Sequence, residues 1–107
     1  MSETNSQLDR QAVEELVHKY CYFFDRNLPK ELAMLFTEDA VVDYGPEIAN
    51  LTSRKQILEM VSKGLTETFL ATSHHISNFM IMSQDSSSAR STSYLYAWHK
   101  YRSKEEI

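Results

Sequence analysis

Two adjacent histidines, His74 and His75, begin an apolar run, and His99 lies in an aromatic-rich segment farther along the sequence. Histidine exchanges protons near neutral pH without a large perturbation, so two histidines on one face of a sheet could act as general acid and base. Neutral imidazole is also a common metal ligand, but no His-x-His or His-Glu-x-x-His spacing occurs, and we predict no metal site. A strand histidine without such neighbours is more often an ordinary half-buried residue.

The pairing of two predicted strands decides which imidazoles share a face. Residues 72–82 and 88–102 favour β-strands, and the cluster "SQDSSS" between them is typical of a turn. A four-residue turn at 84–87 would make Ser83 and Ser88 partners, and the rest of the register follows from that pair. A three-residue loop or a bulge would shift the pairing by one residue.

On this register His74 lies opposite Ala97, and His99 becomes its diagonal neighbour on the same face, about 7–8 Å away. His75 then projects from the other face, because successive side chains alternate along a strand. We therefore predict that His74 and His99 share one face of the sheet. If this face binds a substrate, the predicted contacts are Phe24, Ile76, Asn78, Leu95 and Ala97.

Two helices are predicted at the start of the chain. Apolar residues recur at helical spacing over residues 8–24, after a polar stretch at 1–5 that we expect to be disordered. Pro29 is well suited to be the first residue of a second, short helix. The apolar residues of that helix would be Leu32, Leu35 and Phe36.

A strand and a third helix follow in the predicted order. Residues 40–44 favour a strand that ends at the Gly-Pro pair 45–46. The third helix would be capped by Thr52 or Ser53 and would end at Gly64. Because helices come first and a long hairpin comes last, we predict one α+β domain, with helices covering one face of an antiparallel sheet.

Composition narrows the possible partners and compartment. The 107 residues carry a formal charge of −4 and no Lys/Arg cluster, which argues against a nucleic-acid partner. Cys21 is the single cysteine, which fits a reducing compartment. No stretch approaches the roughly 18 apolar residues of a membrane span. We expect a cytoplasmic protein that binds neither membranes nor nucleic acid.

Three segments resemble the SnoaL-like branch of the nuclear transport factor 2-like (NTF2-like) superfamily. They are "KYCYFFDRNLPKELAMLFTEDAVVDY", "TSHHISNFMI" and "SYLYAWHKYR", and the resemblance extends over residues 8–102. It implies a cystatin-like cone of helices against a strongly curved sheet, a deep pocket at the wide end, and homodimers formed through the sheet. Members normally continue for two further strands that this sequence lacks, so we expect either that the chain is truncated or that a neighbouring chain supplies the missing edge.

The resemblance assigns residues independently of the strand-pairing argument. Scytalone dehydratase-like members end their first helix with Tyr-Asp, and this sequence has Phe24-Asp25, which retains the aspartate and loses the tyrosine. Their strand motifs match Tyr44, His74 and His99. The resemblance therefore implies that these three residues and Asp25 are catalytic.

Other members of the superfamily add Tyr20. Bile-acid dehydratases and steroid isomerases have a tyrosine at this position, but the general-base aspartate of the isomerases falls at Tyr44, which disfavours an isomerase. For elimination of water, His74 would act as base or acid, with Asp25 orienting it. Tyr20 and Tyr44 would polarise a carbonyl oxygen, and His99 would be a second proton-transfer group. Core packing alone would also explain Tyr20, and Asp25 could simply end the helix.

We therefore predict a small-molecule enzyme of the SnoaL-like family that needs no cofactor. It would be a dehydratase- or isomerase-type lyase acting on a cyclic hydroxy-carbonyl compound of polyketide, steroid or aromatic type. The alternative is a non-catalytic domain of the same fold that binds a ligand or mediates dimerisation, since fold alone does not determine function.

Overall fold

Helices pack against an antiparallel hairpin in the computed structural model, which describes residues 3–102. The elements are α1 (Glu3–Asp25), α2 (Pro29–Ala33), α3 (Arg54–Lys63), a π-helical turn (Gly64–Thr68), β1 (Phe69–Gln84) and β2 (Ala89–Tyr101). Within the described residues the sheet consists of these two strands. The predicted α+β class is confirmed.

The first two helices differ from the prediction at their ends. α1 already begins at Glu3, within the stretch expected to be disordered, while residues 1 and 2 lie outside the described residues. α2 begins at Pro29 as predicted, because proline lacks the N–H that a first helical residue does not need. α2 ends at Ala33, so two of its three predicted apolar residues, Leu35 and Phe36, follow the helix.

The C-terminal end of α1 is fixed by a Schellman motif. Asn27 adopts a left-handed φ of 60°, a conformation that asparagine tolerates better than most residues. Its N–H donates to the carbonyl oxygen of Phe24 at 3.2 Å, and the N–H of Leu28 donates to that of Phe23 at 2.9 Å. These bonds end the helix at Asp25 and fix the position of that residue.

The core joins the three helices and the π-helical turn. Leu32 and Ile57 are fully buried, and the burial of each stabilises the fold by about 1.5–3 kcal/mol. The buried cluster consists of Phe24, Leu32, Ile57, Val61 and Leu65.

The strand predicted at 40–44 is wrong. Within the described residues, this segment forms one isolated bridge, between Val42 and Leu51, with N···O distances of 2.8 and 2.9 Å. The Asp43 carboxylate accepts the N–H of Gly45 at 2.8 Å. Such an Asx turn competes with strand pairing and turns the chain immediately after Val42.

The third α-helix begins and ends as predicted, but the chain does not leave the helical conformation at its end. Ser53 is the N-cap, since its Oγ accepts the N–H of Gln56 at 3.1 Å. Gly64 was predicted to end the helix, but its φ of −59° and ψ of −46° are helical, and the chain continues into the π-helical turn. The Arg102 guanidinium donates to the Leu65 carbonyl oxygen at 2.8 Å. This long-range bond satisfies a carbonyl of the wide turn, which the local sequence does not reveal.

The hairpin turn lies one residue beyond its predicted position. It occupies 85–88, and Ser83 pairs with Arg90 rather than with Ser88. The Asp85 carboxylate accepts the backbone N–H of Ser88 at 2.8 Å, which stabilises the turn at this position.

Two β-bulges in β1 change the register between the turn and the imidazoles. They lie at 81–83 and 77–80, and each shifts the pairing by one residue. Together they cancel the displacement of the turn. His74 therefore pairs with Ala97, as predicted, although the predicted turn position is wrong.

Asn78 forms the second bulge and is not placed as predicted. Its φ of 55° lies in the left-handed region, and its side chain is exposed and does not line the cavity described below. This backbone conformation explains why the residue is an asparagine, because asparagine adopts positive φ more readily than most other residues with a Cβ.

We expect Asn78→Val to lower the free energy of unfolding by about 1–2 kcal/mol, because a β-branched residue is strained at positive φ. Asn78→Gly should stay within about 0.5 kcal/mol of the parent protein, because glycine is not strained there. Urea denaturation of the three proteins gives the comparison. An equal loss in both variants would show that the amide side chain, and not the backbone conformation, is what matters.

Candidate active site

His74 and His99 lie side by side on the face of the hairpin that meets the helices. Their ring centroids are 5.5 Å apart with an interplanar angle of 85°, and Phe24 packs on His74 at 4.5 Å. His75 is exposed on the other face, where its Nε2 is 2.8 Å from Ser73 Oγ. The structure therefore divides the adjacent histidines as predicted.

Asp25 connects the end of α1 to the strand that carries His74. Within the described residues its carboxylate accepts three hydrogen bonds. They come from His74 Nδ1 at 2.7 Å, the main-chain N–H of His74 at 2.8 Å and Thr72 Oγ1 at 2.9 Å. The His74 side chain is 5% exposed and that of Asp25 is 26% exposed. The Asp25 carboxylate therefore does more than end α1, because it binds three donors of β1.

This geometry fixes which nitrogen of His74 is free to react. An ionised carboxylate can only accept hydrogen bonds, so Nδ1 of His74 carries the proton shared with Asp25. Nε2 is then the nitrogen left for a substrate, and the Asp25 carboxylate can stabilise a proton gained there.

Thr72 is a site residue that the sequence analysis missed. It precedes His74 by two residues on the same face of β1 and lies opposite His99 in the register. Its hydroxyl holds the oxygen of Asp25 that also accepts from His74. The i, i+2 spacing could have indicated a shared face, but the partner on α1 is distant in sequence.

The two predicted tyrosines meet through their hydroxyl groups. The oxygens of Tyr20 and Tyr44 are 2.6 Å apart, so one O–H is used between them and one remains for another acceptor. Burial, and then the neighbouring Tyr44, raises the pKa of Tyr20 well above the usual range of tyrosine. Tyr20 thus stays a neutral donor, and it also packs against Phe24 and Phe36 in the core.

His99 is held differently from His74. Phe69 stacks on its ring, with centroids 4.5 Å apart and an interplanar angle of 28°. Burial, followed by the positive charge that His74 can carry, lowers the pKa of His99, and Asp25 partly opposes this. His99 therefore favours the neutral form at neutral pH. Phe69 was not predicted as a site residue.

The imidazoles and the tyrosines share one cavity of about 500 Å³. Of the predicted site residues, those that line it are Tyr20, Phe24, Tyr44, His74, Leu95, Ala97 and His99. Asp25 is not a lining residue and contacts His74 instead. Ile76 and Asn78 were predicted to contact substrate, but the structure does not place them at the cavity wall.

Part of the cavity wall was not predicted. These residues are Ile48, Met60, Val61, Lys63, Gly64, Thr68 and Phe69. All but Phe69, the first residue of β1, come from α3, the π-helical turn and the loop before α3. Alternation along a strand indicates neighbours within the sheet, whereas the packing of α3 on the sheet depends on tertiary contacts.

Among the described side chains, those of residues 9–102, no group of three or more His, Cys, Asp or Glu is arranged to hold a metal ion. Over residues 3–102, no helix has the length and apolar character needed to cross a membrane.

The sequence matches the family model of the SnoaL-like domain over residues 5–106. None of the curated proteins matches this chain. Among solved structures, a provisionally named scytalone dehydratase from Novosphingobium aromaticivorans is similar, with 36% identity, a TM-score of 0.83 and 94% of this chain covered. The chain spans 66% of the length of that protein.

Two more distant structures share the fold. A provisionally named aromatic ring hydroxylase from Novosphingobium aromaticivorans has 22% identity and a TM-score of 0.82, covering 88% of this chain and 66% of its own. ActVI-ORFA from Streptomyces coelicolor has 16% identity and a TM-score of 0.68, covering 83% and 67%. At these identities, the similarity shows the architecture alone.

We expect Thr72→Val to lower the free energy of unfolding by about 1–3 kcal/mol, because a partly buried carboxylate loses a donor. Thr72→Ser keeps the hydroxyl and should recover most of this loss. Thr92→Val, at an exposed threonine of β2, is the matched control. Urea denaturation at pH 7 measures all three. A loss in Thr72→Ser as large as in Thr72→Val would mean that the methyl group, and not the bond to Asp25, stabilises the protein.

Proposed function

Because the chain belongs to the SnoaL-like domain family of the NTF2-like superfamily, we propose that it is a dehydratase. Its substrate would be a cyclic hydroxy-carbonyl compound of polyketide, steroid or aromatic type. The observation that carries this proposal is the Asp25–His74 pair, whose imidazole is oriented at the wall of a cavity of about 500 Å³. A site of this volume accommodates a small ring compound.

His74 supplies the proton transfers in this proposal. Its Nε2 removes the proton next to the substrate carbonyl, and the positive charge it gains is stabilised by Asp25 at 2.7 Å. The same nitrogen then gives the proton to the departing hydroxyl group, so that water leaves and a carbon–carbon double bond forms. His74 returns to its starting state, and no external reactant is consumed.

The tyrosine pair stabilises the charge that develops on the carbonyl oxygen. One O–H of the Tyr20–Tyr44 pair is free to donate, and a neutral donor aimed at a developing enolate lowers the barrier. The neutral imidazole of His99, 5.5 Å from His74, can bind the substrate hydroxyl or take part in proton transfer.

The similarity to a provisionally named scytalone dehydratase supports the same reaction class. It makes scytalone a reasonable first compound to test, together with related hydroxy-tetralones and hydroxysteroids. The substrate itself is a proposal, because the identity is 36% and the chain spans 66% of that protein.

We expect His74→Gln to reduce the rate of water loss from the accepted compound by at least about 100-fold, since general acid–base groups contribute that much or more. His75→Gln is the matched control, because it changes the adjacent imidazole on the exposed face. Loss of one water from the substrate, followed by mass spectrometry, gives the rate, and circular dichroism checks the fold.

Similar rates of water loss in the two glutamine variants would show that His74 is not a catalytic residue. Binding of ring compounds without turnover in the parent protein would instead favour the non-catalytic alternative, a ligand-binding domain. These two results are distinguishable, because the first still requires turnover and the second excludes it for the compounds tested.

We also propose that two copies associate through the outer face of the hairpin. Tyr94, Tyr96 and Trp98 alternate along β2 on the face opposite His74, and their exposed fractions are 67%, 67% and 48%. A row of exposed aromatic side chains is more typical of an interface than of a free surface. This association is also what the family resemblance implies.

Tyr96→Lys should shift the protein from dimer to monomer, because burying an ammonium group at an apolar interface is costly. Multi-angle light scattering after gel filtration measures the mass. Tyr22→Lys, at an exposed tyrosine of α1, is the control and should keep the mass of the parent protein. A parent protein that is monomeric at high micromolar concentration would contradict the proposal.

A further inference from the structure

Among the described residues, one side chain with a fixed charge lines the cavity. Of the described residues that line it, none carries a carboxylate, and Lys63 carries the one ammonium group. The raised pKa of Tyr20 keeps its hydroxyl neutral at neutral pH. The lowered pKa of His99 favours its neutral imidazole. Asp25 is not a lining residue, and its carboxylate is occupied by donors from β1. The electrostatic field at the wall is therefore suited to an anion.

Lys63 is positioned by the wide turn. It is the last residue of α3, where the α-helix changes to the π-helical turn. The first and last residues of that turn, Gly64 and Thr68, also line the cavity, as does Phe69 directly after it. A π-helical turn is rare and often marks a functional site. Here two of its five residues contribute to the cavity wall.

Lys63 forms no ion pair with the described part of the chain. Within the described residues, the ion pairs involve His18, Lys19, Arg54 and His74, and Lys63 is not among them. Lysine at the last turn of a helix is favoured by the helix dipole, which explains its stability there without a carboxylate partner.

We propose that the substrate of this site is an acidic ring compound whose carboxylate binds to Lys63. This inference rests on the proposed function and names the substrate class. Apolar side chains such as Met60, Phe69 and Leu95 would contact the ring, and the Tyr20–Tyr44 pair would contact its carbonyl group. An ion pair with a part of the substrate that does not react contributes to binding equally before and during the reaction. Lys63 therefore acts on KM and leaves kcat nearly unchanged.

Two probes of nearly equal shape test the charge preference directly. 2-Naphthoate carries the carboxylate, and 2-naphthamide is its neutral counterpart. Isothermal titration at pH 8 and low salt gives the ratio of their affinities. We expect Lys63→Met to reduce the preference for naphthoate over naphthamide by about three- to fivefold, the size of one partly exposed ion pair. Lys63→Arg should keep most of the preference, and added salt should weaken it in the parent protein.

Lys100→Met is the matched control, because Lys100 is exposed on β2 and does not line the cavity. It should leave the affinity ratio unchanged. An equal ratio in the parent protein and Lys63→Met would overturn the inference about Lys63 while leaving the proposed dehydratase intact. If neither probe binds the parent protein, the inference fails as well, whereas the proposed function is judged separately by loss of water from the hydroxy-tetralones and hydroxysteroids.

Discussion

The carboxylate of Asp25 lies at the C-terminal end of α1, where the helix dipole disfavours a negative charge. Three donors from Thr72 and His74 offset this cost, and they all belong to β1. The bonds therefore fix the end of α1 against the middle of β1. They also fix the rotation of the His74 ring, which packs on Phe24 of the same helix. The helical layer, the hairpin and the candidate acid–base group are thus joined at one point.

Side-chain alternation allowed much of the hairpin to be predicted, including the face of each histidine. The turn could not be located to the residue, because the serines around Asp85 permit turns that differ by one position. An unbroken register from the observed turn would have placed His74 directly opposite His99. The two bulges together shift the partner of His99 by two residues, from His74 to Thr72. A bulge depends on local twist and packing, and nothing in the pattern of apolar residues predicts where it occurs.

The site residues that were predicted came from two sources, strand pairing and the family resemblance. His74, His99, Leu95 and Ala97 follow from pairing, whereas Tyr20, Tyr44 and Asp25 were indicated by the family resemblance. The hydroxyl contact between Tyr20 and Tyr44 depends on the loop held by the Val42–Leu51 bridge. The contribution of the π-helical turn was missed because Gly64 resembled a helix stop. A carbonyl of the turn, that of Leu65, accepts a hydrogen bond from Arg102, which follows β2 and is far away in sequence.

The bulges have a consequence for engineering. Each bulge changes the strand register by one residue at its own position. The register near the tip of the hairpin can therefore differ from the register near the helices. A longer loop, a peptide tag or a reporter sequence inserted at 85–88 would change the tip without displacing either imidazole. The distal end of this hairpin is therefore a suitable place to attach a label to the molecule.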